Sequence, residues 1–90
     1  MKAQIIKPDG TSIEVDPRNK SDFQADELHE IVQGYFEILR LSKTQLMVVN
    51  EEGKLLNLEY NHGATLACNL AGIKDIIVGN VLICETQQIR

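Results

Sequence analysis

No apolar run in this chain is long enough to cross a bilayer as a helix, and no basic leader followed by an apolar stretch and a cleavage site opens it. Neither membrane insertion nor secretion is therefore expected, and the expected location is cytoplasmic. Histidine and cysteine are scarce, at two residues each. Cys68 and Cys84 sit in apolar surroundings with no Cys or His at zinc-type spacing. They are expected to be reduced, buried thiols that serve as small hydrophobes, and no metal site is expected. His29 and His62 are separated by the whole middle of the chain, with no recognisable Ser or Cys nucleophile near either, so no hydrolytic triad can be read. Positive charge is also short, nine Lys and Arg against thirteen Asp and Glu, and the basic residues are scattered rather than striped. Duplex nucleic acid is accordingly not an expected partner. Repeats, linkers and low-complexity stretches are missing as well.

What remains is 90 residues, 43% of them hydrophobic. A second core would leave each half too small to fold alone, so residues 1–90 are expected to form a single domain. A domain this small buries a modest share of its surface, which makes association with a second copy a natural supplement.

The pattern along the chain predicts an α+β fold, a small antiparallel sheet of about five to seven short strands with two helices packed on it. Lys2–Lys7 and Ser12–Val15 flank the turn residues Pro8-Asp9-Gly10 and read as a hairpin. Ser21-Asp22-Phe23-Gln24 has the spacing of a capping box, and Leu28, Ile31, Val32 and Tyr35 then recur at helical spacing, with Gly34 as the expected left-handed stop. Tyr35–Leu41, Gln45–Val49 and Lys54–Leu58 read as a three-stranded meander, with Gly53 placed for positive φ. Asn61 is a good N-cap for a second helix whose Ala64, Ala67, Cys68 and Ala71 make a stripe of small residues ending at Gly72. Two β-branched segments follow, Ile76–Val78 and Val81–Cys84, divided by Gly79-Asn80 as either a tight turn or a bulge, and the last residues read as frayed.

Several groups invite a chemical reading and favour a plain one. Asp22, Asp26, Glu27 and Glu30 lack the alternation and loop glycine of a calcium site and fit a solvated helix face. Glu51 and Glu52 are adjacent in a turn and point apart. Tyr35 and Phe36 should face opposite ways, and if the second sheet face is uncovered, Tyr35, Glu37, Leu39 and Leu41 would offer a patch to a partner chain; a helix over that face fits the pattern equally. The sharpest local feature is Asn61-His62-Gly63-Ala64-Thr65, where backbone amides at a helix N-terminus would attract phosphate. Asn57 and Tyr60 lie close by in sequence, to hydrogen-bond and to stack on a base. Asn57, Tyr60, Asn61, His62, Gly63 and Thr65 are thus the candidate ligand-binding residues, beside the plain reading of Asn61 as an ordinary cap.

Ile5-Ile6-Lys7-Pro8-Asp9-Gly10, the Gly34–Glu37 step, Met47–Lys54, Asn61 with Ala64-Thr65, and Asp75–Val81, in that order, resemble a family of small phage and mobile-element proteins known as a domain of unknown function, number 3846 in its series. The resemblance spans nearly the whole chain. It implies accessory cargo of bacteriophages and plasmids, acting in the bacterial cytosol, with no catalytic residue or cofactor to carry across. It is similar in that respect to counter-defence factors, some of which sequester cyclic nucleotide signals. A non-enzymatic protein that binds such a signal, as a homo-oligomer, is the leading expectation; a module that inhibits a host or phage protein by contact is the other.

Overall fold

The computed structural model describes residues 3–89. Strands β1 (Ala3–Ile6), β2 (Ser12–Val15), β3 (Phe36–Arg40), β4 (Gln45–Asn50) and β5 (Val81–Glu85) form one sheet in the order β2-β1-β5-β4-β3, with antiparallel pairing throughout. Helix α1 (Ala25–Val32) and helix α2 (His62–Leu70) complete the α+β fold, and a 3-10 turn covers Thr86–Gln88. Lys2, with which the first hairpin strand was expected to begin, lies outside the described residues.

The side chains of β4 explain the layering. Leu46 and Val48 pack with Leu82, Cys84 and Ala3 against Phe23, Leu28 and Val32. Met47 and Val49, one residue out of step, pack with Val81 against Ala64 and Cys68 of α2. Alternate residues of a strand face opposite ways, so the two helices lie on opposite sides of the sheet. Leu46–Val49 of β4 and Val81, Leu82 and Cys84 of β5 are buried on both faces, and these strands accordingly read as apolar runs rather than as alternations.

Five local expectations need correction. The first concerns α1, which starts at Ala25 with Gln24 as its cap, and Glu27 Oε2 accepts from the Gln24 amide at 2.8 Å. The earlier start fails because Asn19 Oδ1 already accepts from the Ser21 and Asp22 amides, at 2.8 and 2.9 Å, folding that segment into a side-chain turn. Phe23 just before the cap and Leu28 in the second turn share one core cluster, as a hydrophobic staple does. The second concerns the other end of α1, where Gln33 rather than Gly34 takes the left-handed conformation. Asn50 Nδ2, 2.9 Å from the Val32 carbonyl, satisfies that end from the neighbouring strand.

Third, the expected strand over Lys54–Leu58 does not form. Residues 51–57 make a chain of turns, with Leu56 N donating to Glu52 O at 2.9 Å and Leu58 N to Gly53 O at 3.0 Å. The reason is positional. The free edge of β4 is taken by β5, which arrives from the far end of the chain, so β4 becomes a central strand and its hairpin stops at β3. Gly53 is not among the positive-φ residues; it is glycine because a Cβ there would stand 2.7 Å from Val78 Cγ2.

Fourth, Ile76–Val78 is not a strand of the sheet, since Val78 makes only an isolated bridge with Tyr60. Gly79, at φ 77° and with Leu58 Cδ1 2.8 Å from where a Cβ would be, is a bend into β5, neither a hairpin turn nor a bulge. Fifth, the C-terminal residues through Ile89 are held. The Gln88 carbonyl accepts from Phe23 N at 2.7 Å, and Ile89 packs on the α1-side core; Arg90 lies outside the described residues.

Candidate functional site

The α2 terminus is built as its sequence suggests, and its polar groups are turned inward. Asn61 is completely buried. Its Oδ1 accepts from Ala64 N at 3.0 Å, and its Nδ2 donates to Gly79 O at 2.8 Å and to Ile6 O at 3.0 Å. One carboxamide thereby ties the start of α2 to the end of β1 and to the bend before β5. Thr65 is buried too, its hydroxyl accepting from Ile77 N at 2.9 Å, and its amide donates to Asn61 O at 3.0 Å. Of the four amides that open a helix, that of Asn61, which donates to Ile77 O at 2.9 Å, and that of Ala64 are thus satisfied internally, and the Thr65 amide makes the first ordinary bond of the helix.

Four of the six candidate residues remain at the surface: Asn57, Tyr60, His62 and Gly63 are exposed. Tyr60 and His62 approach each other with ring centroids 6.2 Å apart. Asn57 stands in a left-handed turn position, φ 57°. Asn61 and Thr65 are drawn away from this group into the fold, so the structure divides the candidates between a buried joint and an exposed aromatic pair. The only fully charged residue between Asn57 and Thr65 is Glu59, of the wrong sign for a phosphate.

The patch expected around Tyr35 is likewise divided. Leu39 and Leu41 are half-buried against the α2-side core, so a helix does cover that face, in part. Tyr35 itself precedes β3 and is 67% exposed. Sequence reasoning missed its neighbour. Loop 51–57 brings Leu55, 85% exposed, beside Tyr35, and together with Glu51 and Glu52 they line an open depression of about 500 Å³. The strand expected over Lys54–Leu58 would place Leu55 and Leu56 within the sheet, whereas the turns set them at an exposed loop tip. Lys54, the basic residue of this loop, is turned to Asp75, its Nζ 2.8 Å from Oδ1, and that ammonium holds the Asp75 carboxyl below the usual carboxylate range.

A second concavity, of about 460 Å³, lies along the C-terminal half of α2, lined by Gln4, Leu41, Gln45, Ala67, Leu70, Ala71 and Ile83. No charged side chain lines it. The two thiols face the interior: burial raises that of Cys68, whose Sγ is 3.6 Å from Met47 Sδ, and pushes that of Cys84 up to about 11. Both are therefore protonated and unreactive at neutral pH. Among the described residues no three His, Cys, Asp or Glu are grouped to hold a metal ion, and no helix is long and apolar enough to cross a membrane.

Fold and surface together define a small three-layer α+β domain whose described surface carries shallow concavities, some apolar and some lined by charged side chains. The chain belongs to the family described as "Domain of unknown function (DUF3846)", whose model matches residues 1–89. No curated protein matches it, and no solved structure does.

Proposed function

We propose that this domain acts by binding rather than turnover, as an interaction module whose contact surface is the depression between Tyr35 and Leu55. The observation that carries the reading is the pairing of an exposed aromatic ring with an exposed leucine inside an acidic rim, Glu51 and Glu52, while Lys54 is engaged with Asp75. Tyrosine is among the few residue types that carry most of the binding energy at protein contacts, an adjacent leucine adds apolar burial, and a rim of one sign selects its opposite. The partner is a protein that presents a basic surface with an apolar side chain at its centre. In the phage setting that the resemblance implies, the consequence is inhibition of a host or phage protein by occlusion.

Sequestration of a cyclic nucleotide is the second reading, favoured by the exposed Tyr60–His62 pair at the first turn of α2. It ranks lower because Asn61 and Thr65 are committed to internal hydrogen bonds.

One experiment separates the two. Affinity capture from bacterial lysate is run with the natural chain and with Tyr35→Ala/Leu55→Ser, while both are screened by melting temperature against cyclic dinucleotides and cyclic ADP-ribose isomers. The interaction reading expects a stoichiometric basic partner that is lost from the double variant and weakened by salt. Equal capture by both proteins overturns it, and a thermal shift with a nucleotide that survives Tyr35→Ala/Leu55→Ser but not Tyr60→Ala moves the function to α2.

A further inference from the structure

The sheet ends on two edge strands, and they are not alike. Two hydrogen bonds fix which main-chain groups of β3 are engaged: Glu51 N donates to Tyr35 O at 2.9 Å, and Leu41 N donates to Gln45 O at 3.0 Å. The register between them is regular. Residues 35, 37, 39 and 41 therefore bond to β4, while Phe36, Ile38 and Arg40 turn their N–H and C=O groups away from it. No strand lies beyond β3 in the sheet order, and among the described residues no group pairs with these. Such an edge is a template for another strand unless it is very short, bulged or guarded by proline or lysine. β3 has five residues, no bulge, no proline and no lysine, and its two charges, on Glu37 and Arg40, cancel. β2, at the other edge, has four residues, turns only Ser12 and Glu14 outward, and is followed by Asp16-Pro17.

The side chains identify the occupant. Hydrogen bonds across the edge join outward residues to outward residues, so Phe36, Ile38 and Arg40 need partners of the same kind. A second, antiparallel copy of β3 with a two-fold axis at Ile38 supplies all of them: Ile38 faces Ile38, and each Phe36 faces an Arg40. Paired residues share a face of the sheet. Ile38, 42% exposed, thus meets its own copy on the α1 side, where Phe36 already packs. On the other side each Glu37 lies across from a Leu39, and the two Glu37 residues are diagonal rather than opposed. Neighbouring registers fail. An axis at Glu37 opposes two carboxylates and one at Arg40 opposes two guanidinium groups. An axis at Leu39 sets Phe36 against Ser42, whose amide already donates to Gln45 O at 3.2 Å. Two copies of β2 would gather acid at Glu14 and Asp16 with no cation among residues 12–16.

We propose that this chain pairs with a second copy through β3, antiparallel and centred on Ile38, so that the two sheets become one. The contact is isologous, as a closed dimer requires, and it adds burial that a domain of this size lacks. A five-residue edge covers much less than the roughly 800 Å² that each partner gives to a standard interface. The dimer is accordingly weak, with a dissociation constant on the order of 100 μM. The inference does not rest on the Tyr35–Leu55 depression, and its test leaves Tyr35, Leu55 and the acidic rim unchanged in the variants that probe the edge.

Sedimentation velocity up to millimolar concentration is expected to show the mass rising from 10.1 kDa towards twice that value. Ile38→Lys sets two ammonium groups at the axis and Ile38→Glu two carboxylates, and each should raise the dissociation constant at least tenfold. An equimolar mixture of the two variants should pair again, because the axis then holds opposite charges. Ile13→Lys is the matched control: Ile13, on β2, is 44% exposed, and its change should leave the dimer in place, as should Leu55→Ser. Melting temperatures in dilute solution check that every variant is folded. Amide exchange ties the mass to the edge, since the N–H groups of Phe36, Ile38 and Arg40 should exchange more slowly as the natural chain is concentrated and stay fast in Ile38→Lys. A monomer at every concentration overturns the proposal, as does a dimer indifferent to both Ile38 variants, a mixture no heavier than its components, or equal loss in Ile13→Lys. Species heavier than a dimer overturn it in favour of head-to-tail pairing of β2 on β3.

Discussion

The two sides of the sheet are closed in different ways. On the α1 side, Phe23, Leu28 and Val32 insert large side chains between Leu46, Val48 and Leu82, and the C-terminal Ile89 packs on the same cluster. The outward face of that helix is charged, with Arg18 reaching Asp26 and Glu30 across the surface. The α2 side is covered by alanine and cysteine, and its outward face is neutral and carries two leucines. The contrast teaches that large side chains close one face of the sheet, while the small ones of α2 leave a strip beside the helix open to solvent. Large residues seal and small ones leave space beside them.

That comparison breaks if equal changes on the two sides have equal effects. Leu28→Ala, on the sealed side, should cost about 3 kcal/mol of unfolding free energy in urea titration, as a fully buried leucine does, while Leu70→Ala should stay within about 0.5 kcal/mol in dilute solution. Similar losses would show that α2 already packs as tightly as α1. Asn61→Ala tests whether the small-residue side relies on its joint instead of on volume. It removes a helix cap and strands the Ile6 and Gly79 carbonyls, and about 3 kcal/mol is expected. A loss below about 1 kcal/mol would return Asn61 to the status of an ordinary surface cap.

The smallest effect sharpens the comparison through pH. The Cys84 thiol, on the sealed side, is raised from its ordinary 9.0 to about 11 by burial, with Glu85 adding to the shift. A raised folded value means that the native state holds the proton longer. The contribution is therefore complete below pH 9 and is lost as pH climbs through about 11. Urea midpoints for the natural chain should fall more steeply over that window than those of Cys84→Ala, and thiol reagents at neutral pH should label neither cysteine until the protein unfolds. Prompt labelling would mean that the sealed side opens.

Much of the fold was readable locally because the signals were local. The Pro8-Asp9-Gly10 turn, the Asn61 cap and the apolar runs of β4 and β5 each depend on near neighbours in sequence. Errors arose where a distant residue intervened. Asn19 captured the amides a helix would have used, and β5 occupied the edge where Lys54–Leu58 was expected to pair. The candidate site suffered in the same way. Asn61 and Thr65 are polar and next to a helix start in sequence, yet their partners are Ile6, Gly79 and Ile77, on segments that only folding brings near.

By itself, then, the sequence determined the class of fold, the family, the buried thiols and the position of the second helix, because periodicity, capping and apolar runs act over a few residues. Tertiary structure alone decided which helix covers which face, that Leu55 meets Tyr35 at an acidic rim, and that Asn61 is a joint and not a receptor. Those outcomes depend on which backbone groups find a partner first across the sheet, and that competition is settled between segments far apart in the chain.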